Sequence, residues 1–259
     1  MKQLKCLSLM LICAAMSLSF TACSDDEDDA QNLSQNELSL MAGQSAKLIY
    51  NGNCTWESDE PLIAEVDDNG NVTANRVGET TIWANDESCK VKVSPKYNTY
   101  MEPCMDWGAS ESEVTNFMNG YENLGKNGNI LGFGDTDNEI VYMYMFENNS
   151  LTASVIGANF ISKGEEITDF LLERYVVVSV DNSDYTYYMT SIDKKIAVAV
   201  SFNANSGLMM VIYMPFDVNS ENTKTIISGL NKQIIPNNVI KQTPIDINIL
   251  NDLQNKFKE

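Results

Sequence analysis

The fold of the N-terminal part of this chain is decided by residues 56–93, WESDEPLIAEVDDNGNVTANRVGETTIWANDESCKVKV. Apolar and polar residues alternate here in short runs, as at Val91 and Val93, and a period of two is typical of strands with one buried face. Asn69-Gly70 between two such runs predicts a tight hairpin, because this pair readily adopts positive φ. Several short strands at this spacing, with no helical pattern, predict a small β-sandwich.

The order of short motifs in this stretch resembles that of a known family. The motifs are Trp56-Glu57-Ser58, Ile63-Ala64-Glu65-Val66-Asp67, Gly70-Asn71-Val72-Thr73-Ala74, Gly78-Glu79-Thr80-Thr81-Ile82 and Val91-Lys92-Val93. Together they resemble the bacterial immunoglobulin-like domain of group 2, over residues 33–95. The resemblance implies an all-β sandwich that is common in bacterial surface proteins and adhesins, where it acts as a spacer or adhesive module without catalytic residues.

The N-terminus has the features of a lipoprotein signal. Lysines precede an apolar stretch at residues 6–20, and the small pair Thr21-Ala22 precedes Cys23, which is the layout of a cleavable signal. Residues 20–23 resemble a lipobox, in which the cysteine receives a diacylglycerol and becomes the first residue. We therefore expect a signal peptide at residues 1–22 and lipid attachment at Cys23. Ordinary secretion or an uncleaved anchor are the alternatives, although a membrane span needs roughly 20 apolar residues.

A run of acidic residues follows this cysteine. Residues 24–29 read Ser-Asp-Asp-Glu-Asp-Asp, which is similar to a surface-export signal in one large group of Gram-negative bacteria. The alternative is a solvated spacer, because a block of like charge repels itself and does not fold. We expect residues 23–32 to form a disordered acidic tether. The predicted location is the outer membrane, with lipid anchoring and exposure at the cell surface.

Composition excludes several classes of function. The chain has 17 Lys and Arg against 36 Asp and Glu, no His, and a formal net charge of −19. Nucleic-acid binding needs clustered basic residues, so we expect no nucleic-acid partner. Without histidine there is no Ser-His-Asp or Cys-His catalysis and no His-ligated zinc. We expect a protein that is not an enzyme and has no cofactor or metal.

A carboxylate-dependent hydrolase or an oxygen-ligated calcium site is still compatible with this composition. The dense acidic clusters are Glu165-Glu166 and the group Asp135, Asp137 and Glu139. We interpret the first pair as helix first-turn residues favoured by the helix dipole. We interpret the second group as a turn between two strands.

Three cysteines remain after the predicted processing. Cys54 shares a strand face with Trp56, and Cys89 shares one with Val91, so both thiols would face the same core. A domain outside the cytoplasm can hold a disulfide, and we predict one between Cys54 and Cys89, the alternative being two small buried thiols. Cys104 is then left buried or as a free thiol.

Residues 96–217 predict an α+β domain with an internal duplication. Ser110 to Glu113 and Ser162 to Glu165 each have the form of a capping box, and each precedes an apolar stripe at helical spacing and a run of short strands. Two such helix-plus-meander units place helices on one face of an antiparallel sheet. This element order also looks like that of small periplasmic inhibitor-like and lipoprotein-assembly domains. The opening at residues 107–110 is similar to that of uncharacterised surface lipoproteins.

Residues 218–259 predict a helical tail, which either docks on the sheet domain or recruits a partner. Tyrosines of two predicted strands are the candidate binding surface, because tyrosines on an open sheet make rigid contacts to proteins or sugars. They are Tyr142, Tyr144, Tyr185 and Tyr187. The alternative is that these tyrosines belong to the core.

The combined features predict a surface-anchored lipoprotein with a non-catalytic recognition or adhesion role. We expect a monomer that binds a protein or glycan and contacts the membrane through its N-terminal lipid. One alternative is an inhibitor-like module that binds a hydrolase, and another is a carboxylate-dependent glycan hydrolase.

Overall fold

The structure, a computed structural model, describes residues 32–181, 186–203, 206–216 and 255–257. Its first part is a sandwich of two small sheets, with strand orders β1-β7-β6-β3 and β2-β5-β4. The strands are β1 (Glu37–Met41), β2 (Ser45–Lys47), β3 (Trp56–Ser58), β4 (Ala64–Val66), β5 (Asn71–Ala74), β6 (Gly78–Ala84) and β7 (Glu87–Ser94). The predicted all-β sandwich is confirmed.

Alternation along the strands builds the core of this sandwich. In β7, Val91 and Val93 are buried, while Lys90 and Lys92 between them are exposed. Ile82 on the neighbouring strand β6 is completely buried in the same cluster. One face of each sheet therefore points inward, as the period of two predicts.

The predicted hairpin joins β4 to β5, which pair antiparallel with Val66 opposite Val72. Gly70 in its turn has φ +79°, and a Cβ built there would lie 2.5 Å from the Leu48 carbonyl oxygen and 2.7 Å from the Trp56 ring. Glycine is therefore required at this position for two reasons: the backbone has a positive φ, and the Trp56 indole occupies the space that a side chain would need.

We predict that Gly70→Ala lowers the free energy of unfolding by about 3 kcal/mol, because backbone strain and overpacking each cost on the order of 1–2 kcal/mol. The matched control is Gly43→Ala, where φ is +83° but nothing lies within 4 Å of the added Cβ. That control should lose only about 1 kcal/mol. Urea denaturation measures both values, and equal losses would contradict the role assigned to the close contact with Trp56.

The second part holds two helices and one eight-stranded sheet. The first helix and its strands are α1 (Glu111–Phe117), β8 (Glu122–Asn127), β9 (Ile130–Asp135), β10 (Ile140–Glu147) and β11 (Ser150–Asn159). The second group is α2 (Phe160–Leu172), β12 (Tyr175–Asp181), β13 (Thr186–Ser191), β14 (Ile196–Asn203) and β15 (Leu208–Pro215). The strand order is β12-β13-β14-β15-β11-β10-β9-β8, and every pairing is antiparallel. The predicted tandem of helix-plus-meander units is confirmed.

The two units meet where β11 pairs with β15, with Ser154 opposite Tyr213. Each unit therefore places its last strand at the centre of the sheet. The first capping box is present, since the Ser110 side chain accepts from the Glu113 N–H and the Glu113 carboxylate accepts from the Ser110 N–H.

The predicted second capping box at Ser162 is wrong. Helix α2 begins three residues earlier than predicted, at Phe160, and its N-cap is Asn159, whose side-chain oxygen accepts from the Ile161 N–H at 2.9 Å. Strand β11 runs directly into this helix, so the N-cap is also the last residue of the strand. Strand β8 is a polar and largely exposed edge strand without alternation, so no periodic pattern in the sequence predicts it.

Helices α1 and α2 cover one face of the sheet together with the segment 97–109. Val114 of α1, Phe170 of α2 and Tyr100 of the segment belong to one buried cluster with the strand side chains beneath them. We call this cluster the helix-side core. The Tyr100 and Tyr213 hydroxyl oxygens lie 2.5 Å apart inside it.

The opposite face of the sheet is also apolar and buried. We call it the second sheet face. Its buried members are Ile130, Val141, Met143, Val155, Ala199, Leu208, Met210, Ile212 and Met214. All of them are strand residues, and their exposed fractions range from 0 to 8%.

A buried carboxylate joins the sandwich to the sheet domain. Glu173, 6% exposed, follows α2 and accepts hydrogen bonds from the N–H groups of Lys96 and Tyr97 at 3.0 and 3.1 Å. It also pairs with Arg174, whose guanidinium donates to the Tyr97 carbonyl at 3.0 Å. The Glu173 carbonyl accepts from the Val77 N–H at 2.8 Å. Both chain segments at the junction are thus tied to one residue.

We predict that Glu173→Ala lowers the free energy of unfolding by about 3–5 kcal/mol, because it leaves Arg174 without its partner in a buried site. Glu173→Gln keeps one acceptor oxygen and should cost about 1–3 kcal/mol. The control Glu166→Ala removes an exposed ion pair with Lys163 at 3.6 Å, and such pairs contribute at most about 1 kcal/mol. Denaturant unfolding measures these losses. Equal losses in the free energy of unfolding for Glu173→Ala and Glu166→Ala would contradict the role assigned to the junction.

Candidate functional site

The predicted tyrosine surface is part of the helix-side core. Tyr142 and Tyr144 are 0% exposed and Tyr187 is 1% exposed, and Tyr185 lies outside the described residues. The Tyr144 hydroxyl lies 2.9 Å from the Met118 sulfur of α1. An open aromatic binding face at these three tyrosines is therefore wrong, and the alternative of core packing is correct.

Burial also determines the chemistry of these tyrosines. It raises the pKa of Tyr142, Tyr144 and Tyr187 above the ordinary value, because a phenolate loses its hydration in the core. The neutral hydroxyls therefore serve as internal packing groups. Sequence could not reveal this, since β10 is apolar on both faces and alternation does not show which side the helices cover.

The acidic clusters singled out by sequence serve local structure. Asp135 accepts from the Asn138 backbone and side chain at 3.1 and 2.8 Å, as in a turn. The prediction that Glu165 and Glu166 lie in the first turn of the helix is wrong, because α2 begins at Phe160 and its first turn holds no acidic residue; Glu165 instead pairs with Lys256 at 3.0 Å. Among the described residues, no group of three or more His, Cys, Asp or Glu side chains is arranged to hold a metal ion.

The predicted disulfide is not formed. Cys54, Cys89 and Cys104 are free thiols. Cys89 lies on β7 opposite Ile82 of β6, and β6 separates β7 from β3, the strand that follows Cys54. Strands two apart lie roughly 9.6 Å from each other, whereas a disulfide needs Cα atoms about 4.4–6.8 Å apart. A shared core was therefore not sufficient for a bridge.

Burial, with a smaller contribution from Glu37, raises the pKa of the Cys89 thiol to about 11. We predict that the chain from residue 24 onward, unfolded without reductant, takes up an alkyl group on each of its three cysteines. In the folded protein at pH 8, roughly one Cys89 thiol in a thousand is ionised, and Cys89 should react at least a hundredfold more slowly than Cys54. Mass spectrometry measures both, and labelling of Cys54 and Cys89 only after reduction would contradict free thiols.

An open groove lies on the sandwich between the segment 47–54 and the turn of the β4–β5 hairpin. Its volume is about 520 Å³. Two half-buried aromatic side chains, Tyr50 and Trp56, line it together with the polar residues Asn53, Asp68 and Asn69. Ile49, which is 56% exposed, adds an apolar edge.

The hairpin fixes the geometry of this groove. The Asp67 carboxylate accepts from the N–H groups of Asn69 and Asn71 at 2.9 and 2.8 Å and from the Asn71 side chain at 2.6 Å. These hydrogen bonds lower the pKa of Asp67, the largest effect coming from the Asn71 side chain. Asp67 is thereby committed to the turn, while the exposed side chains of Asp68 and Asn69 face the groove.

Lys47 and Asp68 give the lining one charge of each sign, so this arrangement suits a neutral, hydroxyl-rich ligand. An aromatic ring offers a flat apolar surface for C–H groups, and amide and carboxylate oxygens accept hydrogen bonds from hydroxyls. Sequence indicated Trp56 as a family motif and Asp68-Asn69 as a turn, but it gave no sign that they share a surface. The contact between Gly70 and Trp56 brings them together.

A second depression on the sandwich is smaller and of different character. It has about 440 Å³ and lies over β1, β6 and β7, where Glu37, Glu79, Lys90 and Lys92 line it. Lys92 and Glu79 pair across it at 3.4 Å. Its charged groups are largely compensated, so the aromatic groove is the better candidate site.

Comparison with known proteins identifies the sandwich. Residues 29–94, about a quarter of the chain, match the family model of the bacterial Ig-like domain (group 2). The resemblance predicted for residues 33–95 is confirmed. A domain of this family is a non-catalytic immunoglobulin-like fold and is typical of extracellular and surface proteins.

One similar solved structure is the crystal structure of a bacterial Ig-like domain containing GH10 xylanase from termite gut. It is 22% identical to this chain, with a TM-score of 0.20, and the match covers 34% of this chain and 24% of that one. No curated protein matches the chain. Within the described residues, no helix is both long and apolar enough to span a membrane.

Proposed function

We propose that this protein is a surface-anchored lipoprotein that recognises a glycan without catalysis, through the groove of its immunoglobulin-like domain. The observation that carries the proposal is the pairing of Tyr50 and Trp56 with Asn53, Asp68 and Asn69 in one open groove. Aromatic rings and side chains that form hydrogen bonds together provide contacts to a sugar without a metal.

The anchoring part of the proposal rests on the sequence. Cys23 follows a signal-like apolar stretch, and the acidic residues 25–29 come directly after it; both lie outside the described residues. Two or more acyl chains give stable membrane attachment. A surface location agrees with the match of residues 29–94 to a family of extracellular domains.

The non-catalytic part rests on the groove itself. A glycoside hydrolase needs two carboxyl groups about 5–9.5 Å apart on either side of the bond that it cleaves. Asp68 lines the groove, but its neighbour Asp67 is held by three hydrogen bonds of the turn. We therefore assign Asp68 to ligand binding.

The alternative, a module that inhibits a hydrolase, rests on the tandem sheet. The order of two helix-plus-meander units favours it, but the two faces of the sheet are buried, as Tyr144 and Ile212 show at 0% exposure. An enzyme would have to be bound by the connections at the ends of the strands. The groove offers an accessible surface and is the stronger candidate.

The test is affinity electrophoresis of the chain from residue 24 onward in gels that contain host, dietary or bacterial polysaccharides. We expect retardation by at least one polysaccharide, and about tenfold weaker binding, or about 1.4 kcal/mol, for Asp68→Ala combined with Asn69→Ala. These side chains are exposed, so the fold should persist. Trp56→Ala should weaken polysaccharide binding by more than this double variant.

The matched control is Trp83→Ala. Trp83 is 36% exposed on the same domain and donates to Asp59 at 2.9 Å, but it does not line the groove. Its removal should leave retardation unchanged. Absence of retardation with every polysaccharide, or equal losses for Trp83→Ala and the double variant, would overturn the proposal.

A further inference from the structure

We propose that the groove of the immunoglobulin-like domain binds a sugar with an N-acetyl group, so that its ligand is an N-acetylhexosamine or a glycan that contains one. This inference rests on the proposed function and specifies the class of glycan. An acetamido substituent has three parts with different requirements: a methyl group, an N–H donor and a carbonyl acceptor. The lining of the groove contains a counterpart for each of them.

The lining has an apolar part in addition to its aromatic rings. Ile49 is 56% exposed at the edge of the groove, and Cys54 lines it as a half-buried free thiol. An aliphatic side chain forms no hydrogen bonds and a thiol forms only weak ones, so a hydroxyl placed against them would lose its hydration without compensation. A methyl group gains there, because apolar surface is removed from water. These two residues therefore favour an acetamido methyl over the hydroxyl of a plain hexose.

The Asn53 side chain supplies the polar counterpart. It is exposed and lines the groove, and its amide has no hydrogen-bond partner within the part of the chain that the structure describes. An asparagine amide presents both donors and an acceptor, and an acetamido group presents one of each. The two amides can therefore form hydrogen bonds in both directions.

The loop that carries Asn53 and Cys54 is held in place before any ligand binds. Asn85, in the turn between β6 and β7, accepts from the Thr55 N–H at 3.0 Å and donates its own N–H to the Thr55 carbonyl at 3.2 Å. Its side-chain amide also donates to the Asn53 carbonyl at 3.3 Å. These bonds engage the main chain of the loop and leave the Asn53 side chain available. A site with fixed walls loses little conformational entropy on binding.

The charges of the groove favour a neutral substituent. Lys47 and Asp68 are the charged residues of its lining, one of each sign. A sugar with a carboxylate or a free amine would meet one attractive and one repulsive charge. N-acetylation removes the charge of an amino sugar but keeps its nitrogen as a hydrogen-bond donor. The lining therefore favours the acetylated form over the free amine.

The Cys54 thiol provides a direct readout of groove occupancy. The chain from residue 24 onward is treated with iodoacetamide at pH 8, and alkylation of Cys54 is followed by peptide mass spectrometry in the presence of free monosaccharides. The probes are N-acetylglucosamine, N-acetylgalactosamine and N-acetylmannosamine, each compared with its parent hexose. We expect at least one acetylated sugar to halve the alkylation rate at a concentration at least tenfold lower than its parent hexose requires.

Substitutions at the groove test the assigned contacts. Ile49→Ser should reduce the preference for the acetylated sugar at least threefold, whereas Ile49→Val keeps an apolar surface and should preserve it. Asn53→Ala should weaken protection by the acetylated sugar at least fivefold. Asn51→Ala is the matched control, because Asn51 is exposed in the same loop but does not line the groove. Slow alkylation of the buried Cys89 in each variant shows that the sandwich is intact.

Three results would refute the inference: equal protection of Cys54 by the hexoses and their acetylated counterparts, no protection by any of these sugars, or an unchanged preference in both Ile49→Ser and Asn53→Ala. The comparison of sugars on the unchanged chain depends on no variant. Retardation by a polysaccharide without N-acetyl groups, together with equal protection by both kinds of sugar, would leave glycan binding in place and refute only the acetyl preference. Absence of retardation with every polysaccharide would refute the proposed function itself.

Discussion

The junction at Glu173 is the interaction on which the arrangement of the molecule depends. One carboxylate holds the two N–H groups where the chain leaves the sandwich, and the carbonyl of the same residue holds Val77 within the sandwich. Arg174 balances the charge and lies over the Phe170 ring at 3.6 Å. A flexible linker would let two such domains move independently, whereas this junction fixes residues on both sides through buried hydrogen bonds.

The architecture could be predicted from the sequence alone, because the periodic patterns that indicate strands and helices involve residues close together in the chain. Alternation in β7 and the capping box at Ser110 depend on residues a few positions apart, and both were predicted correctly. The start of α2 was not, because Asn159 caps the helix at the end of a strand and both elements are apolar there. Strand β8 has no apolar face, so only its pairing with β9 makes it a strand.

The candidate site was harder to predict, because it depends on contacts between distant segments. Tyr142 and Tyr144 have the composition of a binding surface, but helices α1 and α2 cover the face of the sheet on which they lie. Trp56 and Asp68 become neighbours in one groove only because Gly70 admits the indole. Cys54 and Cys89 share a core, yet the strand between them keeps the thiols apart, and strand order cannot be read from alternation.

The pairing of β11 with β15 gives the sheet an approximate twofold relation between its halves. The last strand of each unit forms the edge at which the two units join, and these two strands pair antiparallel. This is the geometry of an isologous contact, in which one surface recognises a copy of itself. A single helix-plus-four-strand unit would be able to form the same sheet as a symmetric homodimer.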